Sequence, residues 1–560
     1  MEVALSYVDV WGKTQEVDPE TRAALLKALG PKKSGLKKNL LPRPQSCYQP
    51  EFLARGGRTW GFAVQLYGLR SARNWGIGDF GDLRALIETS AALGAGLVGL
   101  NPLHAAHLSP YSPSSRHALN PLYIDVEALP EFSANARARR LVASRSFQAR
   151  LKKLRGAKLV DYEGVRRAKH EVFESLFPEG RNRGPHTTFA LFEALAEKFG
   201  GNWQEWPREY RHPRSAAVGR FARANARRVG FHAWLQRRAR EQLDAAQKRA
   251  LELGMPVGLY VDLALGADRG GAEVWSDQGA YALSASSGAP PDGFNPRGQD
   301  WGLPPYSPRA LRARNFRPFA ELLRANMPEG GALRIDHVMS LARLYWIPLG
   351  AKPDRGGYVS YPLRELLAVL AAESRKRRCL VIGEDLGTVP AELRAALAEA
   401  GVLSYRPLIF ARAAPRDFPR DALACVSTHD LPTWRGYWAA RDLELRERIG
   451  LTVDSKRESR QRKADQASLT ATLRREGLDR TARSAHAFLA RTLCKLVAVQ
   501  PEDVLGALEQ ANLPGTITEH PNWRRKLPLA LERWSADARF AALRDAFGAG
   551  KPIADPARRR

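Results

Sequence analysis

Eight short apolar runs, most of them separated by helical patterns, constrain this sequence more than any other feature. They are "GFAVQLYGL" just after Trp60, "LVGLN" (97–101), "VGLYVD" (257–262), "ALRID" (332–336), "CLVIGED" (379–385), "LSYRPLIF" (403–410), "ACVSTHD" (424–430) and "DVLGALE" (503–509). Apolar runs that alternate with amphipathic stretches imply parallel βα units. "DFGDLRALIETSAALG", after the first run, reads as such an amphipathic helix, stopped by a glycine. Eight units predict an α/β fold, a (β/α)8 TIM barrel, for which about 250 residues suffice. The chain has 560 residues, so the surplus is assigned to insertions. These are a mostly helical block near 127–255, a loop near 265–308 and a charged helical block near 440–498. The predicted catalytic domain is thus 56–560. Residues 1–55, polar and Pro/Lys-rich around "GPKKSGLKKNLLPRPQS", read as a short N-terminal extension, either a leader or the remnant of an accessory segment.

Composition removes several function classes. No run of eighteen apolar residues occurs, so no membrane-spanning helix is expected. The start, "MEVALSYVDVWGKTQ", lacks a basic region followed by an apolar core, which argues against a signal peptide. Cys47, Cys379, Cys425 and Cys494 form no CxxC pair. Neither a zinc site nor a disulfide scaffold is expected, and the usage suits a reducing cytoplasm. The net charge of +28 is high and raises the question of nucleic acid or acidic partners. The charge is spread over "RARRLVASRSFQARLKKLRGAK", "DSKRESRQRKADQ" and the terminal "RRR", with no nucleic-acid motif beside it. Solvated helix faces and a tail account for it.

The strand ends carry the chemistry. In a barrel of this class the working residues stand at the C-terminal ends of the strands. Asp262 follows "LYV", Asp336 follows "LRI", Glu384 and Asp385 follow "VIG", and His429 with Asp430 follow "CVST". One such acid could simply cap the next helix, and Asp385 is assigned that role or a surface one. Four acidic endings in one barrel converge on one mouth, where like charges raise one another's pKa values. That yields one ionised and one protonated carboxyl, the pair that glycoside cleavage needs. Arg334 and Asp336 are two apart on a strand and therefore point the same way. An arginine beside a carboxylate keeps it ionised, as a nucleophile requires.

"STHDLPTWRGYW" (427–438) adds an acid, an imidazole and three Trp or Tyr rings within one loop. Such rings are costly to leave in water unless they pack or bind. A capped core turn would explain them, and so would a sugar site.

"LRIDHVMSLARLYWIP", "VIGEDLGTVP" and "STHDLPTWRGYW" resemble the three catalytic segments of the 4-α-glucanotransferases, the amylomaltases or disproportionating enzymes. "WGFAVQLYGLRSARNWGIGDFGDL", "SPYSPSSRHALNPLYIDV", "PPDGFNPRGQDWGLPPYSP" and "NLPGTITEHPNWRRKLP" agree with the same family, in order from about Cys47 to Trp534. The resemblance implies a retaining (β/α)8 enzyme with Asp336 as nucleophile, Glu384 as general acid/base and Asp430 as transition-state stabiliser. It implies that Arg334 and His429 position and polarise the nucleophile and the sugar beside it. Asp292 and Trp301 would lie in a loop over the acceptor side, and Tyr111 would stack or hydrogen-bond along the glucan path. "VMSL" after "RIDH", where many members have an "FRGF"-like stretch, resembles the longer bacterial branch, although only about 55 residues precede the barrel here. Expected partners are maltooligosaccharides, glucose and α-1,4-glucans, with no nucleic acid, membrane, metal or cofactor. The carboxylate set alone fits an α-amylase-like hydrolase as well. A basic nucleic-acid binder and a catalytically silent glucan binder are the readings from other classes.

Overall fold

The computed structural model describes residues 2–31, 45–106, 108–178, 187–292, 295–387 and 389–548. The Lys-rich stretch at 32–44 and the terminal basic tail lie outside them. Eight parallel strands run in chain order: β1 (Thr59–Val64), β2 (Leu97–Leu100), β3 (Gly258–Leu263), β4 (Ala332–Ile335), β5 (Leu380–Gly383), β6 (Ser404–Pro407), β7 (Ala422–Cys425) and β8 (Leu496–Val499). Each pairs with its sequence neighbour, and β8 pairs with β1. A parallel bridge between Ile382 and Leu403, with the Gly383 N–H on the Leu403 carbonyl at 2.8 Å, joins β5 to β6. The sheet thus closes on itself as a (β/α)8 barrel, which removes every open edge.

The eighth strand differs from the sequence expectation. "DVLGALE" is not a strand. Pro501–Val504 is a short helix that opens on Pro501, and the chain turns at Gly506 with φ of +68°. The strand is "LVAV" at 496–499, at the very end of the stretch assigned to a charged insertion. All four of its residues are buried. A strand buried on both faces reads as an unbroken apolar run and shows no alternation. "LVAV" is too short to stand out beside the helix before it.

Alternate residues of the strands part into two cores. Tyr260, Ala332, Leu380, Ile382, Tyr405, Leu423, Cys425, Leu496 and Ala498 share one cluster, floored by Leu53. Val261, Leu333, Ile335, Val381, Ala424 and Val497 belong to the large cluster shared with the surrounding helices. The period of two in a strand produces this split. It also fixes the direction of the next residues. Asp262, Arg334 and Glu384 each stand two after an interior residue (Tyr260, Ala332 and Ile382), so the interior face changes from apolar to charged at the barrel's C-terminal end.

Two additions shape the mouth. Among the described residues, seven α-helices and two 3-10 helices between Pro130 and Glu252 make up the block before β3. The expected loop near 265–308 instead contributes strands. Ala285–Ala289 and Gln299–Asp300 join Arg343–Pro348 and Gly357–Ser360 in a four-stranded antiparallel sheet. "ASSGA" has no apolar alternation, and its partner strand lies beyond β4 in sequence, so nothing local marks the sheet. Residues 2–30 are no detached leader. Val3 bridges Val359, and the helix Pro19–Ala28 sends Leu25 into a cluster with Leu344, Trp346 and Val359.

Candidate active site

Arg334 is the hub of the charged mouth. The β3–β4 register sets it directly beside Asp262. Its Nη1 donates to Asp262 Oδ1 at 2.7 Å and Oδ2 at 2.8 Å, and lies 3.1 Å from Asp336 Oδ1. The guanidinium is buried. Burial alone would lower its pKa, but Asp262 and Asp336 outweigh this and hold it charged.

Asp336 stands just past β4 with 22% of its side chain exposed. Its N–H donates to the Leu263 carbonyl at 3.1 Å. The next residue, His337, takes a left-handed conformation at φ +49°, uncommon for a residue with a Cβ. That turn aims the His337 N–H at Glu384 Oε2, 3.0 Å away. Glu384 Oε1 accepts the Leu386 N–H at 2.8 Å, so both oxygens of this buried carboxyl are held by backbone. Burial raises both acids above the ordinary carboxylate range. Arg334 pulls Asp336 back, while Asp262 and Glu384 push it up. The titration therefore belongs to the pair, which retains a proton to higher pH than a lone carboxylate does.

The β7 end supplies the opposite wall. His429 Nε2 is 3.3 Å from Asp430 Oδ2. Burial pushes the His429 imidazole down, but the Asp430 charge outweighs it and the net shift is upward. Crowding pushes Asp430 up, and His429 with the Asn512 amide, 2.7 Å from Oδ1, bring it below the ordinary range. Tyr111 is stacked on His429, with ring centroids 4.6 Å apart, and its hydroxyl reaches Asp262 Oδ2 at 2.5 Å and His429 Nδ1 at 3.3 Å. Tyr111, Asp262, Arg334 and His429 line a cavity of about 630 Å³ whose walls also include Gln65, Asn101, Gln500 and Asp503. Asp336 forms part of a second, more apolar hollow of about 650 Å³.

Of the sequence candidates, Arg334, Asp336, Glu384, Tyr111, His429 and Asp430 meet at this mouth. Trp301 approaches it indirectly, edge to face with His337 at 5.3 Å. Asp292 lies in its own turn, where its Oδ1 accepts the Asn295 N–H at 2.5 Å, and its charge helps to raise the pKa of Tyr358 in the antiparallel sheet. Asp385 corrects its expectation, since it is neither a cap nor a surface residue. It is buried and accepts from the Tyr405 N–H at 2.9 Å and Arg406 Nη1 at 2.8 Å, locking β5 to β6. Asn512 and His337 were not anticipated. "NLPG" and the residue after "RID" carried the only signal for them.

The chain is matched by a family model for 4-alpha-glucanotransferases over residues 64–531. The chain belongs to the 4-alpha-glucanotransferase family. A 4-alpha-glucanotransferase of Haemophilus influenzae is 41% identical over 88% of this chain and 78% of its own length. One from Mycobacterium tuberculosis is 38% identical over 89% of this chain and 76% of its own. The amylomaltase of Corynebacterium glutamicum superposes with a TM-score of 0.84, 26% identity and 98% coverage of both chains. That decides between the two glucan-acting readings in favour of the transferase. No helix among the described residues is long and apolar enough to cross a membrane.

Proposed function

We propose that this 4-alpha-glucanotransferase acts by two displacements at one aspartate. Glu384 gives its proton to the glycosidic oxygen while an Asp336 oxygen attacks the anomeric carbon, forming a glycosyl ester and releasing the shortened donor. Glu384, now ionised, takes the proton from the 4-OH of an acceptor glucan as that oxygen displaces Asp336. Arg334 carries this reading. It sits 3.1 Å from Asp336 and lowers both carboxyls of the pair; its direct contact with Asp336 is the ground on which this reading gives Asp336 the negative charge and Glu384 the retained proton. Both Glu384 oxygens already hold one backbone N–H, so that proton uses a remaining lone pair. Asp430, kept ionised by His429 and Asn512, offsets the positive charge that develops on the ring at each transition state.

The substrates on this reading are maltooligosaccharides, with glucose or a longer α-1,4-glucan as acceptor. Asp292 and Trp301 would hold the acceptor over the ester and exclude water. The test is incubation with maltotriose, with products separated by length and reducing ends counted. Glucose plus a ladder of chains longer than the donor, at nearly constant reducing ends, is expected. A steady rise in reducing ends without longer chains would overturn the transfer reading.

A further inference from the structure

The N-terminal residues are fastened to the sheet that carries Trp301, on both of its faces. Residues 2–4 pair with the outer strand Gly357–Ser360: the Ala4 N–H donates to the Tyr358 carbonyl and the Ser360 N–H to the Glu2 carbonyl, both at 2.9 Å. Cross-strand pairing sorts the side chains. Trp346 opposes Gly357 and Leu344 opposes Val359, which sets these on one face. Tyr345 opposes Tyr358 on the other.

On the first face, Val3, Leu25 and Leu29 form one buried cluster with Leu344, Trp346 and Val359, and Trp301 packs against it. Trp301 joins that face through its N–H on the Ser287 carbonyl at 3.0 Å, and Ser287 opposes Trp346. The helix Pro19–Ala28 lies tightly on Gly357, where a Cβ would come within 3.1 Å of Val17 and 3.3 Å of Leu25. On the second face, Tyr7 meets Tyr345 and Tyr358 edge to face at 5.8 and 5.4 Å. The Asp292 charge acts on the Tyr358 hydroxyl. Two side chains complete the clasp with three polar ties. Arg309 pairs with Glu2 at 2.7 Å and donates to the Gly30 carbonyl, and Ser307 Oγ donates to the Leu29 carbonyl at 2.8 Å.

We propose that residues 2–30 are a positioning element for the acceptor side, setting Trp301 from outside the barrel. The segment touches neither Asp336, Glu384 nor Asp430 in any contact described above. Its influence runs through the packed face Leu25–Trp346–Trp301 to His337, whose N–H holds Glu384. This rests on the reading of Trp301 as an acceptor-side residue. The enzyme's ratio of transfer to hydrolysis is then set partly by a segment outside the barrel, and Leu25, Leu29 and Tyr7 are its positioning residues.

The test uses the full chain with Leu25→Asp, which puts a carboxylate into an apolar interface and releases the helix. The milder variants Leu25→Ala and Tyr7→Ala carry the test if that chain does not fold, with Tyr7→Phe as the conservative control. Three quantities are read: the first-turnover (burst) rate of fluoride release from α-glucosyl fluoride, KM for glucose as acceptor, and the hydrolysed share of maltotriose. Expected are a rise of about tenfold in acceptor KM and a several-fold rise in hydrolysis, with fluoride release within about twofold of the parent and Tyr7→Phe near the parent. Unchanged acceptor KM and hydrolysis in a variant whose residues 19–28 exchange amide hydrogens faster would overturn the proposal. So would equal losses in all three quantities, the mark of a merely structural role. A parent that makes no ladder from maltotriose would instead sink the transfer reading, and the two failures are thereby told apart.

Discussion

At the scale of single residues, the mouth works by apportioning charge among groups that cannot all be charged at once. Asp262, Asp336, Glu384 and Asp430 face one arginine and one histidine, and the register of β3 with β4 decides which acid Arg334 satisfies fully. Asp336→Asn keeps the shape but cannot form the ester, so turnover of maltotriose should fall by at least about a thousandfold with the fold intact. Glu384→Gln should be as impaired on maltotriose yet still be loaded by α-glucosyl fluoride, whose leaving group needs little protonation, releasing about one equivalent of fluoride before stalling at the ester for want of a base. Absence of that fluoride burst would assign Glu384 another role. Asp503 is a different case. It is buried, its Oδ1 accepts the Trp434 N–H at 2.6 Å, its Oδ2 has no partner, and burial raises its pKa to about 7. An acid raised in the folded state stabilises below its unfolded value and loses that contribution as pH climbs to the folded value. Parent stability from this group therefore declines between about pH 4 and pH 7. Asp503→Asn should show a melting-temperature advantage over the parent that grows across that window. An advantage that is flat or shrinks with pH would contradict the buried, costly charge.

At the scale of elements, the turn after β4 and the antiparallel sheet connect packing to chemistry. His337 spends a left-handed conformation to bring its N–H to Glu384, and the Trp301 ring buttresses it from the sheet. Water is present at about 55 M, so transfer needs an acceptor held at high effective concentration. Trp301→Ala should therefore raise the hydrolysed share of maltotriose several-fold while fluoride release changes little. An unaltered product ladder would remove Trp301 from the acceptor side. The same element shows why the expected loop was misread. Its longer strand, Ala285–Ala289, pairs with Arg343–Pro348 on the far side of β4 in the chain, and Gln299–Asp300 pairs in turn with Ala285–Ala289; no local pattern records a partner as distant as Arg343–Pro348.

At the scale of the whole molecule, the charge of +28 has no counter-charge on a neutral glucan. Much of it lies on helices such as Ser455–Arg475, whose few buried residues include Leu469 and Leu473. Transfer rates should vary less than about twofold between low and moderate salt, and a steep slope would point to an anionic substrate or effector. The sequence by itself determined the barrel class, seven of its eight strands and the strand-end acids. These follow from local rules: a short apolar run must be buried, and period two sends Arg334 and Asp336 the same way. It also carried, through long motifs, the family and six residues of the mouth. Only the tertiary structure decided that "LVAV" closes the barrel, that Asp385 is an internal lock, that Asn512 steadies Asp430, and that residues 2–30 pack on the four-stranded antiparallel sheet. Each of these depends on a partner distant in sequence, and such a partner is chosen by how the closed barrel brings faces together, after every local preference has been met.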